Sequence, residues 1–321
     1  MQIHPINSSQ TEKFYKLSEL YGDVFSSKGW HSLHGKKLAL YGVFDNAGEL
    51  VGGFHLFKSK IGLLKYFRNP LFTPHIGFFY ANSGQHYVTR TSQLKTVLEE
   101  MAAYIKKLSF QILSFSFNSG VVDMQPFIWS GFKVVPNYTY ELDLSKTEEE
   151  LLAGLTGDRR NDMKKAQKDG ITVSETKDFR IIHDLVKKTF DRQSKSLDFE
   201  MVNKILTEYA TPENSYAYIA YRDDLPIAGT FCLVSGSRVY YLLGGYDDKN
   251  RHKGAGALTL WQAILHAKRS GVKIFDFEGS MVPSIERYFR GFGGNIVPYY
   301  TVNRACFMLE VLLKFKKRQV F

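Results

Sequence analysis

The chain has 321 residues, 44% hydrophobic and 23% charged, a balance that excludes wholesale disorder and a length that suits two ordinary domains. Its two cysteines exclude a disulfide framework and agree with a reducing compartment, so a cytoplasmic location is expected. No uncharged apolar run is long enough to cross a bilayer, and the formal charge of +10 favours polyanionic partners, from nucleotides and tRNA to an acidic membrane surface.

The amino terminus, Met1-Gln-Ile-His-Pro-Ile-Asn7, lacks a basic region followed by an apolar run, so no secretory signal is expected. His31 and His34 have loose metal-ligand spacing without a supporting cluster, and no metal is expected. Asp45–Phe54 reads as two strands joined by a polar turn. Arg68–His75, stiffened by Pro70 and Pro74, reads as a rigid connector. Leu94, Leu98, Met101 and Ile105 recur at helical spacing and predict a helix over about Ser92–Leu108, with a buried strand Ile112–Phe117 after it.

Charge then concentrates in a linker, 146–170. Asp158–Asp169 predicts a helix on which Arg159, Arg160, Lys164, Lys165 and Lys168 could meet phosphates, although a solvated face is the plainer reading. Arg222–Phe231 repeats the strand–turn–strand pattern. An aromatic strand Val239–Tyr246 follows, then Arg251-His-Lys-Gly254-Ala-Gly256 at the head of a helix over about Ala255–Ser270. A strand Val272–Phe277 and a short helix from near Pro283 come next. The tail, 306–321, sets Met308, Leu309, Leu312 and Leu313 beside Lys314, Lys316, Lys317 and Arg318. It is expected to pack on the protein body; peripheral contact with an anionic membrane is the alternative.

The halves echo one another. Val134-Val-Pro-Asn-Tyr-Thr matches Ile296-Val-Pro-Tyr-Tyr-Thr, and Ile112-Leu-Ser-Phe matches Ile274-Phe-Asp-Phe, both at an offset of 162 (296 − 134 and 274 − 112). Gly52 and Gly229 align at 177, so an insertion separates the earlier elements. Two domains of one α/β fold are predicted, 1–145 and 146–321. In each, a strand–helix–strand crossover gives a locally parallel pair inside a mixed, mostly antiparallel sheet flanked by helices.

The loop at 251–256 carries the chemistry. Glycines let a backbone approach a ligand, helix-start amides point at it, and Arg251 and Lys253 add charge, so a pyrophosphate is the natural occupant. The equivalent positions of the first half, Thr89–Leu94, hold no glycine, so the donor site is expected in the second half alone.

These residues resemble the GNAT acetyltransferase superfamily, whose acyl-CoA signature Arg/Gln-x-x-Gly-x-Gly/Ala is matched by Arg251, Gly254 and Gly256. The resemblance implies an acyl-CoA donor such as acetyl-CoA, held by Arg251, His252, Lys253, Gly254, Ala255 and Gly256, with Gly244 and Tyr246 on the strand beside the pantetheine arm. Over nearly the whole chain the duplicated arrangement resembles the Fem branch, aminoacyl-tRNA-dependent transferases. Thr139–Ser145, Arg160–Ala166 with Gly170, Phe275–Ser280 and Tyr288–Gly294 carry that likeness. The Phe-Lys pair of the cross-bridge enzymes is absent, the stretch reading Tyr288-Phe289-Arg290, and so is a charged heptad arm. Both departures favour a CoA thioester and an amine acceptor, small molecule or peptide, with an envelope or cell-wall precursor among the candidates. Aminoacyl-tRNA is the alternative donor, and an inactive CoA- or nucleotide-binding module the third reading.

Acyl transfer to an amine needs a neutral nucleophile, oxyanion stabilisation and a proton for the leaving group. Glu278, just past the buried strand, is the candidate base or positioner of the amine, and Asp276 could share that task. Structurally, one of these carboxylates would cap the helix near Pro283 and the other would pair with Arg287 or Arg290. The resemblance makes Tyr288 the acid for the thiolate, although a packed aromatic accounts for it equally. Arg290 could replace the missing lysine.

Overall fold

The computed structural model describes residues 1–192, 197–279 and 281–316. Ser280 of the Phe275–Ser280 motif and the tail's 317–321 lie outside them. The chain folds as two compact units, Met1–Asn137 with Pro298–Phe321, and Tyr138–Val297.

In chain order, the first half comprises β1 (Gln2–Pro5), α1 (Thr11–Tyr21), α2 (Lys28–Ser32), β2 (Leu38–Phe44), β3 (Leu50–Ile61), β4 (Leu64–Arg68), β5 (Phe79–Tyr80), α3 (Tyr87–Lys106), β6 (Ile112–Ser116), α4 (Gln125–Trp129) and β7 (Lys133–Asp143). The second comprises α5 (Glu148–Gly154), α6 (Gly157–Lys168), β8 (Thr172–Thr176), α7 (Arg180–Arg192), α8 (Phe199–Lys204), β9 (Ser215–Arg222), β10 (Leu225–Ser235) and β11 (Arg238–Tyr246). It closes with α9 (Ala255–Arg269), β12 (Ile274–Asp276), α10 (Pro283–Arg290), β13 (Asn295–Ala305) and α11 (Phe307–Lys316).

Both units use the same strand order. The first runs β1-β2-β3-β4-β6-β13 and the second β8-β9-β10-β11-β12-β7. In each, one neighbouring pair is parallel, β4 with β6 and β11 with β12, because a helix carries the chain over between them. The edge partner of each inner strand comes from the other half of the sequence. Ile112 pairs with Ala305, and Ile274 with Asp143. The offset of 162 maps one register onto the other (112 + 162 = 274; 305 − 162 = 143).

Apolar periodicity explains the cores. Val97, Leu98, Met101, Ala102 and Ile105 of α3 are buried against Phe54, Leu56, Leu113 and Phe115 of the first sheet. Helix α9 is apolar nearly all round because it is covered twice, by the second sheet and by α6. The linker yields two capped helices. Thr147 and Glu150 form a capping box on α5, and the Thr156 hydroxyl caps α6. The tail departs from expectation. Helix α11 has no buried side chain; Leu309 and Leu313 are half-buried, and its remaining apolar residues face outward.

His31 and His34 lie inside the first unit. His31 Nε2 is 3.0 Å from His55 Nδ1, and His34 is 3.5 Å from the Thr73 hydroxyl. No group of three metal-ligating side chains occurs among the described residues.

Candidate active site in the second unit

Strand β11 pairs with β12 only from Arg238 to Tyr240, opposite Ile274 to Asp276. Beyond that the strands part, and among the described residues no strand takes up this edge of β11. Leu242 is an extra residue there, since Phe231 pairs with Leu243 while Cys232 pairs with Tyr241. Such a bulge bends the strand and re-aims its groups, a common device beside active sites.

On the β12 side the chain turns sharply. Glu278 and Gly279 both have left-handed backbones, φ +59° and +65°, and a Cβ on Gly279 would lie 2.4 Å from the Tyr138 carbonyl. For glutamate that conformation costs about 1–2 kcal/mol, a strain found where surrounding structure holds a functional group in place. Asp276 does the holding. Buried, it accepts the Glu278 amide at 2.9 Å, the Thr139 hydroxyl at 2.6 Å and the Arg238 guanidinium at 2.9 Å. Burial raises its carboxyl above the usual range, against the pull of Thr139 and Arg238. The expected helix cap is corrected, and Asp276 is not the carboxylate that pairs with Arg287 or Arg290. Val282 precedes α10 with no side-chain cap, and Asp276 pairs with Arg238, which also bonds Glu141 at 2.6 Å.

At the head of α9, Gly254 is glycine for packing. A Cβ there would lie 1.9 Å from the Asp162 carbonyl oxygen and 3.0 Å from Ala166, both on α6. Gly256 differs: the nearest atom to its added Cβ is the Tyr288 hydroxyl at 3.5 Å, an ordinary contact. The amides of Gly256 and Ala257 have no hydrogen-bond partner among the described residues, whereas Ala255 N donates to the His252 carbonyl. They are the donors available to an anion.

The loop's basic side chains are largely engaged. Lys253 Nζ lies 3.1 Å from Asp162, and His252 Nε2 lies 3.1 Å from Asp169 while its Nδ1 accepts the Gly254 amide. Arg251 stacks on Tyr246 at 5.3 Å. Gly244 also has a packing reason, since the Tyr241 hydroxyl fills its side-chain space.

Tyr288, on α10, reaches the same place. Its phenol is pushed well up by burial, an effect Asp162 reinforces and Arg159 opposes. It therefore stays protonated. Arg159 lies over its ring at 4.8 Å, so α6 contributes to the site and its first basic residue is no solvated charge. Arg160 likewise turns inward, to the Ala153 and Leu155 carbonyls. Arg290 is exposed, bonded to Glu286 at 2.9 Å, and touches no residue of the 251–256 loop among those described.

Sequence reasoning missed Tyr241, Asp162 and Arg238. The Tyr241 phenol is buried near that of Tyr288, which adds to the upward shift of its pKa. No residue pattern marks these three; each acts through a contact distant along the chain.

Residues 157–290 match the family model described as an acetyltransferase (GNAT) domain, which supports the coarse class of acyltransferase. Among solved structures, FemX is 14% identical, with 98% of this chain and 99% of that one covered at a TM-score of 0.68. The C-terminal domain of a protein assigned as a lysylphosphatidylglycerol synthetase from Agrobacterium fabrum is 9% identical, with 97% of each chain covered at 0.62. A tandem GNAT protein from the clavulanic acid biosynthesis pathway is 11% identical, with 95% and 98% covered at 0.55. At these identities the likeness is one of fold. No curated protein matches the sequence.

Proposed function

We propose that the second unit transfers an acyl group from acyl-CoA to an amine, with Tyr288 as the acid for the departing thiolate. The carrying observation is the placement of a half-buried, protonated phenol beside Gly256, at a helix start whose amides are unpaired among the described residues. The Gly256 and Ala257 amides and Arg251 would hold the CoA diphosphate, and the edge of β11 would pair with the amides of the pantetheine arm. The acceptor nitrogen attacks the thioester carbon. As the tetrahedral oxyanion collapses, the C–S bond breaks and its electrons leave on sulfur, which takes the Tyr288 proton. The new N–C bond forms as the nitrogen loses its proton, for which Glu278 is the base, held in its strained turn by Asp276.

The test is acetyl-CoA turnover with a panel of amine acceptors, read as free thiol. Tyr288→Phe should lower kcat about a hundred-fold with an unchanged KM for the donor. Unaltered turnover would remove Tyr288 from the chemistry. Binding of CoA without turnover on any acceptor favours a ligand-binding module.

A second reading has its own support. Lys253 and His252 are already paired with Asp162 and Asp169, which leaves few free charges for a CoA diphosphate, and the fold is that of FemX. An aminoacyl ester on tRNA would use the same acid, with the ribose oxygen taking the proton. Salt-dependent retention of aminoacyl-tRNA without heat on CoA titration would select it.

A further inference from the structure

The first unit carries a second set of unpaired features, away from the chemistry. On one side is a cavity of about 690 Å3 lined by Lys37, Lys58, Lys60 and Lys65 around Tyr41 and Tyr66. None of its lining residues is acidic, and none of the four lysines has a carboxylate within ion-pair distance among the described residues. Like charges gathered without counter-charges cost stability unless an outside anion offsets them.

Between Lys60 and Lys65 the β3–β4 hairpin ends in Gly62-Leu63-Leu64. Leu63 is 98% exposed, at the tip of a projection flanked by lysines. Helix α11 offers a matching surface. Phe307, Met308, Val311, Leu312 and Phe315 fall on one face, and Phe307, Met308 and Phe315 are 83%, 82% and 85% exposed. A monomeric soluble surface rarely leaves such a stripe uncovered.

Gln111 joins these features. Its side-chain oxygen accepts the Lys65 amide at 2.6 Å, its own amide donates to the Lys65 carbonyl at 2.9 Å, and its carbonyl accepts the amide of Cys306, directly before α11, at 2.9 Å. The cavity's Leu108 and Ser109 immediately precede this stretch. Lysine cavity, apolar hairpin tip and apolar helix thus share one end of the unit.

We propose that this end docks on an anionic lipid bilayer, with Leu63 and the α11 stripe entering the headgroup–acyl boundary and Lys37, Lys58, Lys60 and Lys65 meeting lipid phosphates. Apolar residues flanked by lysines are what such an interface recognises, and the absence of acids in the cavity matches the sign of its charge. The inference is independent of the donor and of the reaction.

Co-sedimentation of the full chain with vesicles tests it. Binding to phosphatidylcholine vesicles containing one-third phosphatidylglycerol, and not to phosphatidylcholine alone, is expected at about 0.15 M salt, weakening as salt rises. Each lysine near an anionic surface is worth about five-fold, so Lys58→Gln, Lys60→Gln and Lys65→Gln together should weaken binding about a hundred-fold. Leu63→Ser with Phe315→Ser should weaken it while the melting temperature holds. Equal binding to neutral vesicles, no binding to either, or unchanged binding by both variants at wild-type melting temperature overturns the proposal. Inorganic phosphate abolishing vesicle binding at constant ionic strength would make the cavity a small-anion site instead. If Phe315→Ser converts a dimer to a monomer without altering vesicle binding, the helix covers a second copy, and the proposal fails there too.

Discussion

Replacing Gly254 by alanine separates packing from donor binding. The new Cβ would lie 1.9 Å from the Asp162 carbonyl oxygen and 2.7 Å from its carbon. An ordinary contact is about 3.4 Å or more, so α6 must retreat by more than an ångström. The obstructing atoms are helix backbone, which cannot turn aside as a side chain can. Overpacking of this kind costs about 3 kcal/mol, the upper end of the usual range. Position 254 precedes α9, so alanine gains no helix propensity there. For the second unit (Tyr138–Val297, roughly 160 residues), an unfolding entropy of about 0.34 kcal/mol/K turns that into a fall of about 9 °C in its melting temperature. Gly256→Ala is the comparison. Its Cβ meets only the Tyr288 hydroxyl at 3.5 Å, so stability should hold or rise by up to about 1 kcal/mol while KM for the donor increases. Differential scanning calorimetry with and without acetyl-CoA reads both. A Gly254→Ala protein melting like wild type would refute the packing argument, and a Gly256→Ala protein with unchanged donor KM would take the diphosphate away from this helix start.

Glu278→Gly relieves a left-handed backbone but adds glycine's entropy to the unfolded chain, so chemical denaturation should show stability unchanged or up to about 1 kcal/mol higher, with acyl transfer at least ten-fold slower. Burial holds His31 down to about 3 and His34 to about 4, and His55 well below its ordinary value. Unfolded, each titrates near 6.5, so the unfolded chain binds more protons below that value. Stability of the first unit should be full above about pH 7.5 and fall through 6.5 towards 4, by about 2 kcal/mol per histidine at pH 5; a flat urea-midpoint profile over that window would contradict it. A fragment 138–297 keeps β12's partner and should fold cooperatively, whereas 146–321 loses residues 138–143 and should not, as judged by thermal melts.

Long, strongly periodic elements were legible. Helices α6 and α9 fall within one residue of their expected bounds, α3 begins five residues before its expected start, and the parallel crossovers follow from a strand–helix–strand rhythm. The site was legible only in part. A glycine in a sequence reports that a Cβ is unwelcome, without saying what excludes it. At Gly254 the excluding atom is Asp162, and at Gly244 it is Tyr241. Of these three site glycines only Gly256, facing Tyr288, has room to spare. The same blindness covers charge: Lys253 and His252 look available until Asp162 and Asp169 are brought beside them. Helix α11 reads as a core element because its apolar spacing is correct; spacing cannot tell which side of a helix is covered.

The exchanged strands show why the rest was out of reach. Under the 162 offset, pairing Ile112 with Ala305 or with Asp143 uses equivalent residues in the same register, so sequence cannot distinguish the exchanged sheet from one closed within each half. The difference lies in what arrives beside the site. Strand β7 brings Thr139 to Asp276, Glu141 to Arg238 and Tyr140 to Glu286, at 2.6 Å in each case. Its counterpart β13 carries Asn303 where β7 has Glu141 (303 − 162 = 141), and a neutral amide there would leave Arg238 with one carboxylate instead of two. Asp276 buttresses the strained turn at Glu278, and Arg238 holds Asp276. The first half of the chain therefore supplies the strand that fixes the proposed base in the second.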